Sequence, residues 1–89
     1  MQDIPLNDLK QDLKQLIIEA TGKDIACAQI QNEVMLFGPD SPLQLDSLDG
    51  LQISMSIQRQ YGVRIADPKE LRRIMESIDT LADYIQRRL

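Results

Sequence analysis

The sequence contains no histidine. Without an imidazole there is no Ser-His or Cys-His pair for nucleophilic catalysis and no histidine ligand for zinc. Cysteine occurs once, at Cys27. One thiol excludes an internal disulfide framework and a Cys-x-x-Cys site, and it suits a reducing compartment. Cys27 reads as a small apolar or loop residue, with a reactive thiol as the alternative. Tryptophan is absent, and Phe37, Tyr61 and Tyr84 are the only aromatics. The core must therefore be built from Leu, Ile, Val and Met. The basic residues lack the interleaved aromatic platforms of single-strand nucleic-acid binders. No apolar run approaches the ~20 residues needed to span a bilayer. The acidic, polar start lacks the n-region and h-region of a signal peptide. A cytoplasmic protein is expected, with no membrane insertion and no enzymatic activity.

What is present is enough to fold. Residues 1–89 read as a single domain, and 43% hydrophobic content places the chain outside the disordered class. The net charge of −4 is unevenly spread: residues 1–58 carry −6 and residues 59–89 carry +2. The acidic half argues against nucleic acid there and for a partner with a basic patch. Arg72, Arg73, Arg87 and Arg88 read as helix C-terminal charge and solvated faces.

Leu6, Leu9, Leu13, Leu16, Ile17 and Ala20 recur at helical spacing, predicting a first helix from Pro5 or Asn7 to Ala20. Lys10, Lys14, Asp8 and Asp12 mark its wet face, and Gly22 suits its stop. Residues 23–46 form a long connection punctuated by Ile25, Ile30, Val34, Met35, Leu36, Phe37, Leu43 and Leu45. So many apolar anchors predict a loop packed on the helices, with room for a short helical turn. Val34 to Phe37 has strand propensity but no partner strand, so a strand is rejected. Gly38 to Pro42 is a turn by composition.

The second helix is expected from Ser47 or Leu48 to Tyr61, with Gly62 as its stop. Leu48, Leu51 and Met55 form one stripe, and Ile53, Ile57 and Tyr61 another, with Gly50, Ser54 and Gln58 between them. That arc spans roughly 220° and predicts a central helix touching several neighbours. Asp67, Pro68 and Glu70 predict a capped third helix with a capping box. Leu71, Ile74, Met75 and Ile78 would form its apolar side. A fourth helix is expected to start near Ser77 to Thr80, with Leu81, Tyr84, Ile85 and Leu89 inward. The fold class is all-α, a four-helix bundle with a long first loop and a short third helix.

Ser47 stands where a helix begins, facing unpaired N–H groups and the positive end of the dipole, so a phosphate esterified there would be well placed. Asp46 or Ser47 can equally serve as a plain cap. With no histidine for a base, Ser47 is no hydrolase nucleophile.

The Asp46-Ser47-Leu48 stretch at the mouth of the second helix resembles that of the acyl carrier proteins. The likeness extends to Tyr61-Gly62-Val63 closing that helix, Ile65-Ala66-Asp67 opening the third, and Thr80-Leu81-Ala82-Asp83-Tyr84-Ile85 in the fourth. The resemblance implies a 4′-phosphopantetheine arm, drawn from coenzyme A, on Ser47, holding acyl groups as thioesters. It implies that Asp46 assists the phosphopantetheinyl transferase at its metal-bound active site and that Leu48 presents an apolar knob to partners. It places partner docking on Asp49, Gln52, Ser56 and Arg59, for a ketosynthase and other acyl-processing enzymes, with the carrier a monomer. It also implies an acyl groove beside the second helix at Gly50, Ser54 and Met55. The two small residues fit close approach of another helix equally well.

The chain departs from the family pattern in two respects. Gln44 stands where glycine often precedes the aspartate by two residues. Gln52, Ser56, Arg59 and Gln60 stand where many fatty-acid carriers bear glutamates, and no acid occurs between Asp49 and Asp67. A specialised lipid or polyketide-type pathway fits these departures better than housekeeping fatty acid biosynthesis. The alternatives are an aminoacyl or peptidyl carrier, and an unmodified helical adaptor in which Ser47 is only a cap.

Overall fold

The apolar periodicities become four α-helices in the computed structural model, which describes residues 4–65 and 67–89. The first three residues, read above as part of the polar start, lie outside the described residues, as does Ala66 of the Ile65-Ala66-Asp67 stretch. Helix α1 runs Leu6–Thr21, α2 Ser47–Tyr61, α3 Pro68–Ile74 and α4 Ile78–Gln86, with a 3-10 turn at Cys27–Gln29. No strand occurs among the described residues.

Leu9, Leu13, Leu16 and Ile17 of α1 are buried, whereas Leu6 at its start is exposed. Gly22 ends the helix at φ 69°, a left-handed conformation open to glycine, and donates its N–H to the Ile18 carbonyl at 2.9 Å. The expected wet face is narrower than read above. Lys14 is buried, and Lys10 reaches Asp79 of α4 at 2.7 Å. The cause is that α1 packs against both α2 and α4. Its covered arc outgrows one apolar stripe and takes in lysine stems.

The connection between α1 and α2 is packed, as its apolar anchors predict. Ile30, Leu36, Leu43 and Leu45 are buried, though Met35 is half exposed. Its backbone groups find partners singly rather than in a ladder. Leu36 N–H donates to the Glu76 carbonyl at 3.0 Å, and Leu45 N–H to the Leu36 carbonyl at 3.2 Å. One parallel bridge, Phe37 to Leu45, is all that the strand-like stretch forms. The Asn32 carbonyl accepts the Asp79 N–H at 3.0 Å, satisfying a first-turn donor of α4. The Cα radius of gyration is 11.8 Å, near the ~12 Å of a folded chain of this length. The loop is thus folded into the body of the molecule.

Helix α2 is not the central helix that its broad apolar arc predicts; α1 is. Ile53 and Ile57 are fully buried, with Gly50 and Ser54 beside them. The other stripe faces out: Leu48, Leu51 and Met55 are 62%, 52% and 53% exposed. Length explains the difference. Fifteen residues of α2 extend about 22 Å, while the seven of α3 cover about 10 Å.

The start of α3 also departs from expectation. The Asp67 carboxylate accepts the Lys69 N–H at 2.9 Å, but Glu70 pairs with Arg73 at 3.7 Å rather than closing a capping box. Ser77 caps α4 and makes Ile78 the first residue of that helix rather than part of α3. Leu81, Ala82 and Ile85 then complete the aliphatic core. Tyr84 is half buried, with Arg88 over its ring at 3.6 Å. No helix among the described residues is long and apolar enough to cross a membrane.

Candidate functional site

Asp46, not Ser47, caps α2. Its backbone is extended, and its carboxylate accepts the Asp49 N–H at 2.9 Å. The Asp49 carboxylate accepts the Asp46 N–H in return, at 3.2 Å. This reciprocal pair is a capping box built from two aspartates. The hydrogen bond from the Asp49 backbone N–H is the main cause holding the Asp46 carboxyl below the usual carboxylate range. Lys23 lies 3.8 Å from Asp49 and adds positive charge to the same corner.

With the cap occupied by its neighbour, Ser47 is the first residue of the helix and is exposed. Its hydroxyl makes no hydrogen bond among the described residues. It therefore stands free at the positive end of a fifteen-residue helix. Leu48 beside it is the most exposed large apolar side chain of α2.

Ser47 also stands on the rim of a cleft of about 520 Å³ between α2 and α3. Phe37, Leu51, Ile65 and Leu71 make its apolar walls, and Ser54 lies within it. Asp67, Lys69 and Arg72 add charge on the α3 side. Small-molecule sites typically enclose about 300–1,000 Å³, so this cleft is of ligand size.

The three residues expected to open a groove have different surroundings. Ser54 lines the cleft, with its hydroxyl donating to the Leu51 carbonyl at 3.1 Å. Gly50 is filled in: a Cβ there would lie 3.1 Å from Phe37 Cζ and 3.3 Å from Leu71 Cδ2. Its missing side chain admits the Phe37 ring and Leu71, the close-approach use of a small residue. Met55 lies outside the cleft lining and is half exposed.

The residues assigned to docking spread along α2. Asp49 is engaged with Asp46 and Lys23, and Gln52 is exposed. Ser56 and Arg59 sit farther along, lining a shallow hollow shared with Leu16, Glu19 and Gln60. Beyond Ser47 and Ser54, none of the cleft residues is one that the sequence assigns to a site, Asp67 being read only as the start of the third helix. Their apolar members read as ordinary core, and no local pattern brings the loop and α3 to α2.

No group of three or more potential metal ligands occurs among the described residues. Cys27, on the 3-10 turn, donates its Sγ–H to Gln15 Oε1 at 3.0 Å and is not among the described lining residues of the cleft. A scan of the sequence against protein-family models finds no match, and a search of curated proteins finds none.

Proposed function

We propose that the protein is an acyl carrier protein, holding acyl intermediates as thioesters on a 4′-phosphopantetheine arm esterified to Ser47. The observation that carries this reading is one juxtaposition. An exposed serine hydroxyl, uncommitted among the described residues, stands in the first turn of α2 at the mouth of an apolar cleft.

The residues present fit such an arm. Asp46 takes the capping role, which leaves Ser47 Oγ available for modification without uncapping the helix. A phosphodiester on Ser47 would gain from the dipole of α2, while Lys23 offsets the nearby Asp49 carboxylate. The Asp46 carboxylate is held ionised beside the hydroxyl, as assistance to a phosphopantetheinyl transferase requires. The arm supplies thioester chemistry, and the protein supplies delivery and orientation. Leu48, Leu51 and Met55 offer partner enzymes, a ketosynthase among them, an apolar face. The scarcity of acids on α2 favours a specialised lipid or polyketide-type pathway in the cytoplasm over housekeeping fatty acid biosynthesis.

Intact mass tests this reading, after incubation with coenzyme A, magnesium and a phosphopantetheinyl transferase. The expected gain is one phosphopantetheine, absent in Ser47→Ala. That variant should keep wild-type helicity and stay within about 0.5 kcal/mol in stability, because the cap is elsewhere. Ser41 is a built-in control: it is buried, and its hydroxyl donates to the Leu36 carbonyl at 2.8 Å. Labelling that persists in Ser47→Ala refutes the site. The exposed row of α2 favours one other reading, an unmodified adaptor, and a wild-type protein that gains no mass would select it.

A further inference from the structure

The cleft beside Ser47 is apolar within and basic along one edge. Lys69 and Arg72 lie one turn apart on α3, both line the cleft, and both are exposed. Neither makes an ion pair among the described residues, whereas the neighbouring Arg73 is held by Glu70. Asp67 is the one acid among the described lining residues, and its carboxylate already receives the Lys69 N–H as the cap of α3. Arg72 and Phe37 also line a smaller hollow together with Glu76, but Glu76 makes no ion pair with Arg72 among the described residues. The cleft thus pairs apolar walls with two uncommitted cations on a single rim.

We infer that the cleft selects a carried acyl group bearing a negative charge, its methylenes against Phe37, Leu51 and Leu71 and its distal carboxylate on Lys69 and Arg72. This rests on the carrier reading and names the substrate class for the same site. A neutral chain would use only the walls. A carboxylate adds charge-assisted hydrogen bonds, strongest where water is partly excluded. Arg72 offers a planar fork suited to a carboxylate, and Lys69 a mobile point charge beside it. The same two cations could instead hold the phosphodiester of the arm, so the experiment separates the two anions.

Wild-type protein is loaded from acyl-coenzyme A with either an octanoyl chain or the octanedioyl half-thioester of matched length. Loading is verified by intact mass, so failure of the carrier reading appears there, before the substrate class is tested. The rate of thioester cleavage by hydroxylamine is then measured, normalised to the free N-acetylcysteamine thioesters. The octanedioyl chain should be cleaved about tenfold more slowly than octanoyl, the effect expected of one charge-assisted contact. Added salt and the double variant Lys69→Gln with Arg72→Gln should each close that gap. Lys69→Arg with Arg72→Lys should keep it. Both residues are exposed, and circular dichroism verifies that the variants fold. Equal rates in the wild type, faster cleavage of the charged chain, or a gap that survives the double glutamine variant would overturn the inference. So would a holo protein, carrying the arm alone, whose Lys69 and Arg72 side-chain resonances already shift as fully as with the charged chain.

Discussion

Asp46 and Gln44 show how single residues prepare the helix mouth. The folded state holds the Asp46 carboxyl below its ordinary value, so its contribution to stability is fully present above the unfolded carboxylate pKa. That contribution disappears as pH falls through the folded value. The stability difference between wild type and Asp46→Ala should therefore be constant near neutrality and shrink in acid below about pH 4. Asp46→Asn, still a good cap, should lose less at neutral pH than Asp46→Ala. Urea melts of the three proteins across pH check this, and a difference that grows in acid would contradict it. Gln44 sits two residues earlier at φ 48°, a left-handed conformation that costs a non-glycine residue about 1–2 kcal/mol. Its Nε2 donates to the Pro39 carbonyl at 3.2 Å, a local offset to that strain. Gln44→Gly should be neutral to stabilising by up to about 1 kcal/mol, and Gln44→Val destabilising by a similar amount. Melts in which Val outlasts Gly would show that the loop does not hold this conformation.

At the scale of the element, α2 carries two apolar stripes with different roles. Ile53 and Ile57 face the core, and Ile57→Ala should cost about 2–5 kcal/mol. Leu51 and Met55 are half exposed, so Leu51→Ala and Met55→Ala should each cost less than about 1 kcal/mol. Helical periodicity alone implies equal losses at Leu51 and Ile57, so the two readings differ at Leu51. Denaturant midpoints check this, and a Leu51→Ala loss as large as that of Ile57→Ala would place this stripe inside. Gly50 links α2 to both walls of the cleft through Phe37 and Leu71. Gly50→Val should overpack the contact and cost about 1–3 kcal/mol, with Phe37 displaced.

The molecule as a whole places its charge asymmetrically, and partner choice follows. Encounters steered by charge slow steeply as salt rises, with a screening length of about 8 Å near physiological ionic strength. The outward residues of α2 include Gln52, Arg59 and Gln60, so the helix offers little to a basic patch, and Arg59 repels one. On the carrier reading proposed above, a housekeeping fatty-acid ketosynthase should accept the acyl-loaded protein poorly. Gln52→Glu with Arg59→Glu should raise that rate at low salt, and added salt should erase most of the gain. A rate comparison across a salt series decides this. Equal and strongly salt-sensitive rates for both proteins would remove the α2 charges as the selector.

Much of this architecture is legible without coordinates because helix signals are short-range. Gly22 and Gly62 end α1 and α2 where the sequence places them, and both adopt positive φ. The junction at Asp46-Ser47 and the Asp67-Pro68 start are likewise codes of a few adjacent residues. The apolar anchors of the long loop announce that it is packed. Tertiary structure decided what those codes leave open. Periodicity marks two apolar stripes on α2 but cannot say which is covered, since that depends on how far α3 reaches across it. Periodicity cannot show that Lys14 is buried, because the covered arc of α1 is set by two neighbouring helices at once. Nor can a local pattern reveal that Phe37 fills the space at Gly50, or that Lys69 and Arg72 share a cleft with Ser47. Those contacts join residues 13 to 25 positions apart in the chain, and only the packing of helices and loop brings them together.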